Sequence, residues 1–102
     1  MRSSQVRRVF DVGRTSHGRR VVLFVAPGSG GFAVVATRRV GGAVERNRAR
    51  RILRAAWREV APQAGDGNDV VLVARDAIRG AKTQDLVAEM TELLCREELV
   101  GT

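Results

Sequence analysis

Cysteine is nearly missing from this chain: the single Cys95 cannot close an internal disulfide, and His17 is the only histidine, so the clustered ligands of a structural zinc site are not there. No disulfide framework and no protein-held metal are expected. Long hydrophobic runs are also lacking. The longest, residues 21–27 and 70–74, are far too short to cross a bilayer, and no charged start followed by an apolar stretch opens the chain. A soluble, cytoplasmic protein without membrane association is the expectation. Internal repeats and low-complexity segments are absent. Lysine is reduced to Lys82, leaving a basic complement made almost wholly of arginine. That bias reflects genomic base composition as readily as chemistry, although a guanidinium does bind phosphate in bidentate fashion.

What is present is positive charge. Eighteen Lys plus Arg stand against 11 Asp plus Glu, a formal charge of +7 with a pI near 11.5 in 102 residues, and a polyanionic partner is the first inference. A hydrophobic fraction of 44% separates the chain from disordered basic tails, so it should fold. Its length suits one domain, residues 1–102, around one modest core.

Val6, Val9 and Phe10, following Ser3 and Ser4 as possible caps, have the spacing of a short amphipathic helix that Gly13 would end. Residues 14–20 are polar and read as a connection. The run Val21, Val22, Leu23, Phe24, Val25 reads as a strand stopped by Pro27 and Gly28. Residues 32–37 read as a second strand, and the glycine-rich loop between them predicts an antiparallel hairpin. Residues 43–61 have helical periodicity, with Pro62, Gly65 and Gly67 as the stop. Residues 70–74 form a continuous apolar run typical of a strand buried on both faces. A final helix has Thr83 as N-cap, Asp85 in its first turn, and Leu86, Met90, Leu93 and Leu94 along one side. The order is helix, strand, strand, helix, strand, helix, with room for an extra short strand near Arg19 or Arg38. One layer of sheet covered by helices follows.

The segment from Val44 to Arg58 carries the chemistry. At about 100° per residue, Arg46, Asn47, Arg50, Arg51, Arg54 and Arg58 fall in one arc of roughly 140°, and Ala49, Ile52, Leu53, Ala56, Trp57 and Val60 fall in another, with Arg48 at an edge. Trp57 therefore reads as core. The series Arg46, Arg50, Arg54, Arg58 holds three like-charge i, i+4 pairs, each costing roughly 0.2 to 0.5 kcal/mol. Phosphates would relieve that repulsion. Asn47 within the row can hydrogen-bond a phosphate, a ribose hydroxyl or a base edge, or else its own backbone.

The sequence Ala43-Val44-Glu45-Arg46-Asn47-Arg48-Ala49-Arg50-Arg51-Ile52-Leu53-Arg54, preceded by Gly41, resembles the signature of the bacterial ribonuclease P protein family, whose hallmark is Arg-Asn-Arg on a long helix. The likeness extends to Val9 and Phe10, Gly13, Phe24, Thr37-Arg38-Arg39 and the strand from Asp69 to Arg75. The chain departs from the family pattern at Val6, Gly42 and Ala49.

The resemblance implies an α+β fold: a single-domain α/β sandwich whose small, mostly antiparallel sheet packs with three helices and includes a left-handed βαβ crossover. It implies RNA contacts at Arg46, Asn47, Arg48, Arg50, Arg51, Arg54, Arg58, Arg38 and Arg39, with leader contacts at Phe10, Phe24, Val6 and Thr37. Whether Phe10 and Phe24 stack on nucleotides or only pack stays open. The implied partners are the ribonuclease P catalytic RNA and precursor tRNA, with no obligate protein partner. The implied activity is endonucleolytic removal of the 5′ leader, with Mg2+ held mainly by RNA and substrate. No catalytic residue is expected in the chain, since His17, Cys95, Asp66 and Asp69 show no partner in the sequence. Two rival readings remain: a basic RNA- or DNA-binding module without a tie to catalysis, resembling a ribosomal protein, and a membrane-surface or protein-interaction domain.

Overall fold

The apolar run at residues 70–74 needs cover on both faces and hydrogen-bond partners on both edges, and the fold is arranged to supply them. The structure, a computed structural model, describes residues 1–96, so residues 97–102 of the expected domain lie outside the described residues. Its elements are α1 (Ser3–Val12), β1 (Arg14–His17), β2 (Val21–Pro27), β3 (Phe32–Val35), α2 (Ala43–Ala64), β4 (Asn68–Ala74), a short 3-10 turn (Asp76–Ile78) and α3 (Thr83–Arg96). The sheet order is β1-β2-β4-β3. β2 pairs antiparallel with β4, placing Leu23 opposite Leu72, while β3 pairs parallel with β4, placing Val34 level with Leu72.

The hairpin expected between residues 21–25 and 32–37 is therefore corrected. The two strands run in opposite directions but do not pair, because β4 lies between them. The physical reason is burial: β4 is apolar on both faces, and an edge position would leave one row of its backbone groups unpaired. The loop at residues 28–31 bridges the roughly 10 Å of two strand spacings. It is bolted over the start of β4 by bonds from Gly28 N–H to Gly67 O (2.9 Å), from Val70 N–H to Gly31 O (2.9 Å) and from Gly31 N–H to Asp69 Oδ1 (2.7 Å). A Cβ on Gly28 would lie 2.1 Å from Asp69 Oδ2, so only glycine fits there. β3 and β4, parallel, adjacent and joined through α2, form the βαβ unit that the resemblance implies.

Two further expectations need correction. Residues 14–17, read as connection, form β1, paired antiparallel with β2; their polar composition hid the strand, and only Ser16 is buried. Pro62 does not stop α2, which runs on to Ala64. The ring removes one hydrogen bond near the helix end, while the extra turn buries Ala64, and Gly65 ends the helix at φ 74°, a conformation open to glycine.

The core lies between the sheet and α2 with α3. Val21, Leu23, Val25, Val70, Leu72 and Ala74 meet Ile52, Leu53, Ala56 and Val60 of α2 and Leu86, Met90, Leu93 and Leu94 of α3. Each such Val or Leu contributes about 1.5–3 kcal/mol on burial. Glu89 of α3 accepts the Arg20 and Val21 N–H groups at 2.8 and 3.0 Å, tying that helix to the β1–β2 turn. On the other side of the sheet, α1 covers only part: Val9, Ala26 and Val71 are buried, while Val6, Phe24, Ala33, Val35 and Val73 stay half-buried.

Candidate nucleic-acid interface

Helix α2 is held by Ala49, Ile52, Leu53, Ala56, Val60 and Ala64, all buried. That fixes its rotation and sends Asn47, Arg51, Arg54 and Arg58 into solvent. Among the described residues no ion pair or side-chain hydrogen bond engages Arg51, Arg54 or Arg58. The remaining basic residues of the row are half-buried and tethered. Arg46 donates to Gly41 O at 3.1 Å, Arg50 donates to Asn47 Oδ1, and Arg48 donates to the backbone carbonyl of Ala81. The basic residues of α2 thus divide by use: three guanidinium groups of the predicted stripe are free for a ligand, while Arg46 of the stripe and Arg48 at its edge clamp the first turns of α2 to neighbouring backbone. Glu59, on the opposite edge, accepts from Gln84 Nε2 at 3.3 Å and leaves the stripe unneutralised.

Arg38 and Arg39 extend this basic surface. They sit exposed in a turn closed by Val40 N–H to Thr37 O (3.0 Å) and Gly41 N–H to Arg38 O (3.1 Å), with Val40 buried as its anchor. The turn leads directly into α2.

The open part of the sheet face gathers the other candidates. Phe10 of α1, 40% exposed, meets Phe24 of β2 edge-on, with ring centroids 4.8 Å apart at 74°. Val6 packs half-buried in the same cluster. Thr37 is exposed farther along, on the wall of a cavity of about 610 Å³ that also involves Val22, Arg39, Val73, Arg75 and Asp76. Arg75 had no sequence motif to flag it. The strand register, not legible beforehand, puts it beside the β1–β2 turn, where it donates to Gly18 O at 3.0 Å.

Trp57, read as core, is corrected to a half-buried position. It stacks on Phe32 of β3, with centroids 5.3 Å apart and ring planes within 6°. On the helical wheel Trp57 lies between Arg46 and Arg50, a placement in the projection that already marks it as an edge residue. The four aromatic residues therefore form two pairs, one associated with each face of the sheet, and none is fully buried. Large rings ordinarily dominate cores, and placement at the edges leaves part of each pair within reach of a flat ligand.

Comparison with known proteins places the chain in a family. A family model described as Ribonuclease P matches residues 1–98. The ribonuclease P protein component of Chloroflexus aurantiacus is 46% identical over 79 residues, covering 72% of this chain and 57% of that protein, so the match spans little more than half of that relative. The corresponding protein of Chloroflexus aggregans is 37% identical over 107 residues, covering 99% of this chain and 78% of that one. Among solved structures, the Staphylococcus aureus RNase P protein superposes with a TM-score of 0.80 at 17% identity, covering 99% of this chain and 95% of that one. The Thermotoga maritima RNase P protein superposes with a TM-score of 0.78 at 19% identity, covering 94% of each chain. Both share the fold.

Proposed function

Since the chain belongs to the ribonuclease P protein family, we propose that it is the protein subunit of a tRNA-processing ribonucleoprotein, binding the catalytic RNA and the 5′ leader of precursor tRNA. The observation that carries this reading is the free guanidinium row Arg51, Arg54, Arg58 on the exposed side of α2, opposite a buried side that cannot rotate away. Arg38, Arg39, Asn47 and Arg50 border the row and enlarge the surface offered to the RNA. Arg46 and Arg48 serve it by holding the helix start in place. On the sheet face, Phe10 and Phe24 offer a platform to unpaired leader nucleotides, each stack worth about 1–3 kcal/mol, with Val6 behind them and Thr37 at the far end.

In this reading the chain supplies affinity and counter-charge, not a nucleophile. Magnesium, held by the RNA and the substrate phosphates and by no residue of this chain, would supply the activation of water when bound. The protein lowers the cost of bringing two polyanions together by placing arginine where their phosphates converge.

Reconstitution tests the proposal. Purified protein added to its cognate RNA should raise leader cleavage at low magnesium, and protein alone should cleave nothing. Cleavage by RNA-free protein would refute it, as would RNA affinity no better than for random duplex DNA.

A further inference from the structure

The Phe32–Trp57 stack borders a depression that the reading above leaves unused. This hollow of about 200 Å³ lies at the C-terminal end of α2, between the two glycine-rich loops. Its floor is apolar: Phe32, Trp57, Ala61, Ala64 and Val70. Its rim is the backbone of Gly30, Gly31 and Gly65, and Asp66 and Asn68 supply the polar side chains. Space is open where a Cβ on Gly30 or Gly65 would stand, so a flat ligand can approach the main chain closely.

Two observations decide what kind of ligand fits. Ala61 lines the hollow, and Arg58 and Arg54, three and seven residues before it, lie on the same side of α2 about 6 Å apart along the axis. Both are exposed and free, so the phosphates of a nucleotide seated in the hollow would find countercharge next to it. Asp66 points to a different group. A carboxylate repels phosphate, and this one is exposed and engaged by no other described residue. It calls for a neutral ligand edge that carries N–H donors. Of the four RNA bases, only guanine presents two adjacent donors, N1–H and N2–H, which match the two oxygens of a carboxylate.

We propose that this hollow binds an unpaired guanine of an RNA, stacked against the Phe32–Trp57 pair, with its Watson–Crick edge on Asp66 and its flanking phosphates on Arg54 and Arg58. The proposal rests on the RNA-binding reading and adds a base-specific site to it. It is separate from the leader platform, because Trp57 packs on the α2 and α3 side of the sheet and Phe10 with Phe24 on the α1 side.

The chain contains one tryptophan and no tyrosine, so Trp57 emission reports this hollow alone. The full chain is titrated with a uridine pentaribonucleotide carrying one central guanosine, then with the same pentamer carrying adenosine. The guanosine pentamer should quench Trp57 at concentrations about tenfold lower than the adenosine one, as a bidentate edge contact implies. Asp66→Asn, a change at an exposed and unbonded side chain, should erase that preference. Equal responses to the two pentamers, a preference that survives Asp66→Asn, or no quenching at all would each overturn the proposal. Filter binding of the same preparations to ribonuclease P RNA keeps the two claims apart. Retained RNA affinity without a guanosine-dependent signal sinks the hollow alone, whereas loss of specific RNA affinity in the unmodified protein sinks the broader reading.

Discussion

Arg48 and Arg54 are six residues apart on one helix, the first at an edge of the arginine arc and the second within it, and they do different work. Arg54 is exposed and unpaired, so Arg54→Ala should leave stability within about ±0.5 kcal/mol. It should reduce the log-log salt slope of RNA binding by about 0.7–0.9, the share of one phosphate contact. Arg48 donates to the Ala81 carbonyl from a half-buried position, and its removal leaves that acceptor without its partner. Arg48→Ala should cost about 1 kcal/mol, seen as a melting temperature lower by about 4–8 °C, with the salt slope unchanged. Identical effects of the two variants on melting and on salt dependence would defeat this division. Asp69 gives a third contrast. It is 4% exposed, accepts the Gly31 N–H and lies 3.8 Å from Arg8, so Asp69→Ala should destabilise by about 1–3 kcal/mol in thermal melts, because it orphans a donor in the loop that crosses β4.

At the scale of elements, α2 was the most legible part of the molecule, because a helix declares its buried side by periodicity and arginine cannot be placed inward without a partner. Every residue assigned to its apolar arc is in or against the core, Trp57 included, although that ring lies at the boundary. Leu53→Ala should therefore cost about 2–5 kcal/mol in denaturant unfolding. RNA affinity of the folded fraction should stay intact, since the free arginines keep their backbone positions. The strands were legible one by one, but not their partners. Which strand sits between two others depends on how much apolar surface each can hide, and β2 and β3 looked like a hairpin only because the loop joining them is short. β1 was foreseen only as room for a short strand near Arg19, for a local reason: of Arg14, Thr15, Ser16 and His17 only Ser16 is buried, so no hydrophobic alternation appears in the sequence. Pro62 illustrates the converse, a local stop signal outweighed by the burial of Ala64 one half-turn later.

For the molecule as a whole, the charge of +7 is a standing cost in the free protein, and its use is best exposed by competition with another cation. If the row Arg51, Arg54, Arg58 acts as counter-charge between two polyanions, magnesium in excess can do part of the same work, because divalent ions condense on the same phosphates. The triple variant Arg51→Ala, Arg54→Ala, Arg58→Ala should then assemble poorly with the cognate RNA at low magnesium, with a salt slope smaller by about 2.1–2.7, and recover most of its leader cleavage as magnesium is raised. A pure folding defect would not recover this way, since magnesium has no reason to restore a lost core. A cleavage defect that stays constant across the magnesium series would show that the row reads a specific RNA shape, not charge, and would transfer the electrostatic role to Arg38, Arg39 and the turn ahead of α2.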